Sequence, residues 1–216
     1  MLNLFVLRIT RMMAVTAACL VTYALAAPPA QFAPALALFA QARTGNEAAI
    51  EPSADAFSKL LQAEPANPLW MAYTGAATSM RATITWLPWK KMRYAEDGLA
   101  LLDKALATLT AAHHVPVSGA VPVAMEVRFV AASTYLAVPG FMNKGARGTK
   151  LLNDVVVSPQ LASVPLAFQV DVWMTAADQA IKDKRVDEAR KYLNQVIASG
   201  APQAEAARHQ LGSLKS

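Results

Sequence analysis

The chain has 216 residues, 55% of them hydrophobic, and a formal net charge of +5. That length suits one domain or a modest repeat array. The small positive balance is spread among acids, which argues against nucleic acid as the partner, because phosphate binding needs clustered cations. Cys19 is the only cysteine, which excludes a disulfide framework.

The chain opens on a segment with the order of an export signal. Met1 to Met13 carries Arg8 and Arg11 and no acid. Ala14 to Ala26 is apolar apart from Thr16 and Thr22, and small residues and prolines follow. Charged, apolar and small-residue regions in that sequence predict a secretory signal over 1–26, cleaved after Ala24-Leu25-Ala26. An uncleaved anchor is the second reading, although the apolar run is shorter than the roughly 18 to 20 residues of a spanning helix. A mitochondrial transit peptide is a third, since the first acid is Glu47. Lipidation of Cys19 would want Leu three residues earlier, where Thr16 stands. Cleavage leaves 18 basic against 15 acidic residues and no cysteine. A Pro/Ala-rich lead-in covers 27–33, and 34–216 reads as one helical domain.

Prolines and glycines then punctuate apolar periodicities of helical type, with no convincing strand alternation. Val115 to Val123 is the most strand-like stretch, but two prolines and a glycine interrupt it. The first helix is expected over about 34–43, ended by Thr44-Gly45-Asn46. The second follows Pro52, which tolerates a first helical turn because its missing N–H is not needed there. Asn67 reads as an N-cap and Pro68 as the first residue of the third helix. A fourth helix is expected over about 89–109, with Ile84 to Arg93 as a lengthened connection before it. A loop covers 111–120. The fifth to ninth helices are placed at about 121–137, 143–157, 166–182, 186–199 and 202–211. Gly200 marks the stop of the eighth.

A recurrent spacing runs through these helices. Trp173, Ala177 and Ala180 stand at i, i+4 and i+7, and Ala189, Leu193 and Val196 repeat that spacing before Pro202. Gly98, Leu102 and Ala105 repeat it, as do Gly148, Leu152 and Val155, and Ser53, Phe57 and Leu60. Trp70 stands at an early aromatic position after the Pro65-Ala66-Asn67-Pro68 turn. These residues resemble the tetratricopeptide repeat, a helix–turn–helix unit. The resemblance implies an all-α fold of about eight to nine helices, in antiparallel pairs stacked as a short right-handed solenoid. It also implies a groove that binds protein segments. The large apolar positions Phe57, Leu102, Leu152 and Leu193 are 45, 50 and 41 residues apart, against a family period of about 34. Either the middle repeats carry insertions, or the chain is a more generic α-solenoid.

Trp86-Leu87-Pro88-Trp89-Lys90-Lys91-Met92-Arg93-Tyr94 is the most unusual segment. Aromatics beside cations suit a partner's acidic or apolar surface or a membrane interface, so Trp86, Trp89, Lys90, Lys91 and Arg93 are the candidate contact residues. The competing reading packs both indoles into the turn and leaves the cations to water. Lys144, Arg147 and Lys150 form a second basic stretch, suited to anion contact but lacking the strand and spacing of a phosphate loop. His113 and His114 are adjacent and His209 is remote, too few for a metal site. Glu126 and Arg128 read as a core or surface polar pair. No catalytic constellation is visible, so no enzyme activity, cofactor or metal is expected. The expected protein is a periplasmic scaffold or assembly adaptor of a Gram-negative-type bacterium, with cell-envelope protein partners and no nucleic acid. Membrane contact is expected only through an uncleaved N-terminal segment. The alternative is a carrier of a small apolar ligand, with its pocket beside Trp70, Trp86 and Trp89.

Overall fold

The computed structural model describes residues 30–115 and 120–214. The signal at 1–26 and residues 27–29 of the lead-in lie outside the described residues; the rest of the lead-in runs into the first helix, which starts at Phe32. Those described form nine α-helices and no strand. They are α1 (Phe32–Arg43), α2 (Ile50–Ala63), α3 (Pro68–Ile84), α4 (Pro88–Thr108) and α5 (Val123–Ala137). There follow α6 (Gly145–Val156), α7 (Leu166–Lys182), α8 (Val186–Ala198) and α9 (Ala204–Ser213). Four single 3₁₀ turns stand in the connections. The fold is all-α, as the periodicities require.

Local chemistry sets the helix limits. The Asn67 carboxamide oxygen accepts from the backbone N–H of Leu69 at 2.9 Å and of Trp70 at 3.4 Å, which satisfies two otherwise unpaired donors at the start of α3. Gly200 follows α8 at φ 66°, a left-handed conformation that costs glycine little. One expected boundary needs correction. Ile84 to Arg93 is not a lengthened connection: only Thr85, Trp86 and Leu87 separate α3 from α4. Pro88 starts α4 as its first residue, and the extra length goes into the helices, 17 residues in α3 and 21 in α4.

Each odd-numbered helix packs on the even-numbered helix after it, and α5 also packs against α3 and α4. Pairing is antiparallel: Thr108 of α4 meets Met71 of α3, while Gly98 faces Gly75 and Ser79. The recurrent triplet explains this packing. All its members in α2, α4, α6 and α8 are buried, from Ser53, Phe57 and Leu60 to Ala189, Leu193 and Val196. The small residue permits the approach of the preceding helix. A Cβ on Gly98 would lie 2.4 Å from the Gly75 carbonyl oxygen, and one on Gly148 would lie 2.9 Å from Leu136 Cγ. The large residue then fills the space beyond. Trp70, Phe57 and Leu102 belong to a first core that joins α1 to α5. Leu152 lies in a second core, across α5 to α7, and Ala177 and Leu193 in a third, across α7 to α9. Ala105 and Ala189 are fully buried, whereas Trp173 is half-buried at the edge of the third core.

Candidate functional site

A helix in the middle of such an array has more than one covered face. In α5, Val127, Ala131 and Tyr135 pack into the first core, and Met125, Phe129 and Ala132 into the second. Glu126, Val130, Ser133 and Ala137 make a third stripe, at helical spacing, and all four line an open cavity of about 940 Å³. Helices α1, α3 and α7 line it in the same way. Leu36, Phe39 and Arg43 come from α1, Tyr73, Ala76, Met80 and Thr83 from α3, and Phe168, Asp171, Thr175 and Gln179 from α7. The even-numbered helices contribute only Ile50 at the start of α2 and Ala95 of α4. The cavity is thus a groove along the inner faces of α1, α3, α5 and α7. Its walls are mainly apolar.

Polar groups are few and concentrated. The Tyr73 ring stacks on Phe57 at 4.6 Å between centroids and meets Phe39 edge-on at 5.1 Å. That packing holds its hydroxyl against Glu126, where it donates to Oε1 at 2.6 Å. Burial raises the Glu126 carboxyl above the ordinary carboxylate range, and the Tyr73 hydrogen bond only partly offsets it. Tyr73 itself is pushed well above its usual value, by burial first and then by the neighbouring carboxylate. Arg43, in the last turn of α1, reaches across to Asp171 of α7 at 3.7 Å. Its guanidinium also lies 5.9 Å from the centre of the Phe129 ring. Asp171 is raised by burial, with Arg43 opposing the shift. Acids outnumber cations on the lining: Glu47, Glu126, Asp171 and Asp178 against Arg43 and Lys182.

The residues singled out for contact lie elsewhere. Trp86, Trp89, Lys90, Lys91 and Arg93 are all exposed, and none lines the groove. The reading that packs the two indoles into the turn is therefore corrected: Trp86 is 83% exposed and Trp89 66%. The pocket expected beside Trp70, Trp86 and Trp89 is also displaced. Trp70 is buried in the first core, and the cavity runs past Phe39, Tyr73, Phe129 and Phe168 instead. Lys144 and Arg147 prove to be a clasp. Both pair with Asp103 of α4, at 2.9 and 2.5 Å, and the Tyr135 hydroxyl donates to the same carboxylate at 2.6 Å. Both cations also lie over the Tyr135 ring. Burial alone would raise the Asp103 carboxyl, but the Tyr135 and Lys144 hydrogen bonds and the two positive charges bring it below its usual value. Lys150 pairs with Asp154 one turn on. The His113 ring nitrogen Nδ1 accepts from the Thr110 N–H at 2.9 Å. His114 and Arg128 flank a small recess of about 80 Å³.

Sequence reasoning passed over most of the groove. Glu126 was noticed only as half of a local pair. The signal that could have found it is a carboxylate at i, i+4, i+7 and i+11 with small and apolar residues, on a helix whose other two faces are already apolar. No family model matches this chain, and no curated protein or solved structure matches it either.

Proposed function

We propose that the chain is a non-catalytic binding scaffold built on tetratricopeptide-like helix pairs, acting in the bacterial periplasm. Its groove takes an apolar segment of a protein partner, with a donor or cationic group placed at the Glu126 carboxyl. One observation supports this reading above the rest. The packing triplets of α2, α4, α6 and α8, and that of α7, face the cores, while α1, α3, α5 and α7 turn a separate stripe toward one shared groove. In stacked helix pairs, such a continuous inner face is where partner segments lie. The excess of acids in an otherwise apolar lining selects a segment with complementary charge. No helix among the described residues is long and apolar enough to cross a membrane.

A photo-crosslinking amino acid at Thr134, in the groove, and another at Lys59, exposed on α2, test the assignment. A discrete protein adduct from position 134 and none from position 59 is the expected result. Glu126→Gln, which keeps an acceptor for Tyr73, weakens the partner by about tenfold, as loss of one charge-assisted hydrogen bond does. A second reading has its own support: the groove volume of about 940 Å³ also lies near the top of the range for small-molecule sites, about 300–1,000 Å³. A carrier of a small apolar ligand would give no protein adduct. Native mass spectrometry would then find a bound molecule that Thr134→Trp displaces.

A further inference from the structure

Three aromatic side chains stand out in solvent, away from the groove. Trp86 is 83% exposed, Trp89 66% and Phe141 67%. Trp86 lies in the α3–α4 connection, Trp89 is the second residue of α4, and Phe141 lies in the α5–α6 connection. Trp86 and Trp89 flank the turn between the antiparallel α3 and α4, and Met92, one turn into α4, is 40% exposed beside Trp89. Phe141 stands apart, in a connection whose Lys144 pairs with Asp103 toward the C-terminal end of α4.

The cations beside the two indoles work against the local structure. Lys90 and Lys91 occupy the first turn of α4, which holds no acid. The N-terminus of a helix is the positive end of its dipole, so cations there are disfavoured. Neither lysine forms an ion pair among the described residues, and Arg93 has only Asp97 at 3.6 Å, with both side chains mostly exposed. Exposed indoles gain nothing from folding, and the misplaced lysines cost a little stability. Nothing within the described chain repays that cost, which points to a surface outside it.

We propose that the N-terminal end of α4 rests on an anionic lipid bilayer. Trp86 and Trp89 sit at headgroup level, and Lys90, Lys91 and Arg93 meet lipid phosphates. Indole rings are enriched at membrane–water interfaces because one side of the ring is apolar and the N–H stays wet. Basic residues next to such an anchor gain from the negative surface potential of the leaflet. A bilayer fits better than a folded partner, because both indoles protrude beside three cations with no groove between them and border neither cavity. This contact is distinct from any made by the N-terminal apolar segment and does not depend on what occupies the groove.

Co-sedimentation of the full chain with phosphatidylcholine vesicles, and with equal parts phosphatidylcholine and phosphatidylglycerol, tests the proposal. Binding is expected to the anionic vesicles and to weaken with salt. Brominated acyl chains should quench wild-type tryptophan emission, and the quenching should vanish in the double variant Trp86→Phe, Trp89→Phe. Lys90→Glu with Lys91→Glu should lower vesicle affinity by roughly 30-fold or more, from the worth of each basic residue near an anionic surface. Those glutamates suit the helix dipole, so the thermal midpoint of that variant should not fall. Three results would each overturn the proposal. The first is wild-type protein that ignores anionic vesicles. The second is both double variants binding them as wild type does, which would assign the attachment to another segment. The third is a lipid-free dimer that dissociates in Trp86→Ala, Trp89→Ala, which would assign the rings to a second copy of the chain.

Discussion

Gly98→Ala probes the tightest approach found at any glycine among the described residues. The added Cβ would lie 2.2 Å from Ser79 Oγ, 2.4 Å from the Gly75 carbonyl oxygen and 2.8 Å from the Ser79 backbone nitrogen. The hydroxyl can rotate away, but the two backbone atoms belong to α3 and can yield only if α3 and α4 separate. Restoring a normal contact requires a shift of about 1 Å, enough to forfeit a quarter to a half of the dispersion energy along that seam. Leu102, fully buried, and Leu99 pack on the same seam. Overpacking of a tight core costs about 1–3 kcal/mol and occasionally more, and this site lies at the upper end because backbone is in the way. Alanine returns about 1 kcal/mol through its better helix propensity. The net loss is about 2 kcal/mol, which lowers the midpoint by about 4–8 °C in a chain of this size. Differential scanning calorimetry measures it, with Gly212→Ala in α9 as the control, since nothing lies within 4 Å of that position. A Gly98→Ala protein as stable as Gly212→Ala would refute the argument that small residues at the first triplet position exist to admit the neighbouring helix.

Leu102→Ala, at a fully buried position of the same triplet, should cost about 2–5 kcal/mol, whereas Leu166→Ala at an exposed site should stay within about 0.5 kcal/mol; urea unfolding separates the two. Asp103→Asn should cost about 1 kcal/mol, a charge-assisted network discounted for its partial exposure. The Asp103 carboxyl is depressed in the folded chain, so its contribution holds above the ordinary carboxylate pKa. It is lost as pH falls through the depressed value, and the wild-type advantage in thermal midpoint should vanish in acid. Glu126 has the opposite sign. Its folded-state carboxyl is raised, so the unfolded chain releases this proton first and stability declines as pH rises from the ordinary value through the raised one. Glu126→Gln should therefore match wild type in acid and exceed it in thermal midpoint at neutral pH; equal midpoints at neutral pH would remove Glu126 from the groove floor.

The misplaced connection at Ile84 to Arg93 shows how far reading the chain goes. Trp86, Pro88 and three cations look like a loop by composition. Yet Pro88 has its φ preset for a first helical turn, and α4 continues for 21 residues from it. Spacings between Phe57, Leu102, Leu152 and Leu193 announce extra residues but cannot say where they lie. Some lengthen α3 and α4, and others form the connections from 109 to 122 and from 138 to 144. The basic stretch at Lys144 to Lys150 is similar. Its anchor, Asp103, is 41 and 44 residues from Lys144 and Arg147, and no local rule connects residues so far apart.

Helix identity, the ends marked by Asn67 and Gly200, and the buried triplets of α2, α4, α6 and α8 were settled by the sequence itself. Each rests on interactions within a few residues: a cap at Asn67, a left-handed glycine at 200, a repeat of i, i+4 and i+7. The groove, the Asp103 clasp and the exposure of Trp86 and Trp89 were decided by tertiary structure alone. A helix such as α5 offers several apolar faces, and only the neighbours that cover two of them determine which stripe is left to face a ligand. The same holds for an indole at a corner, whose burial depends on whether another helix passes over it.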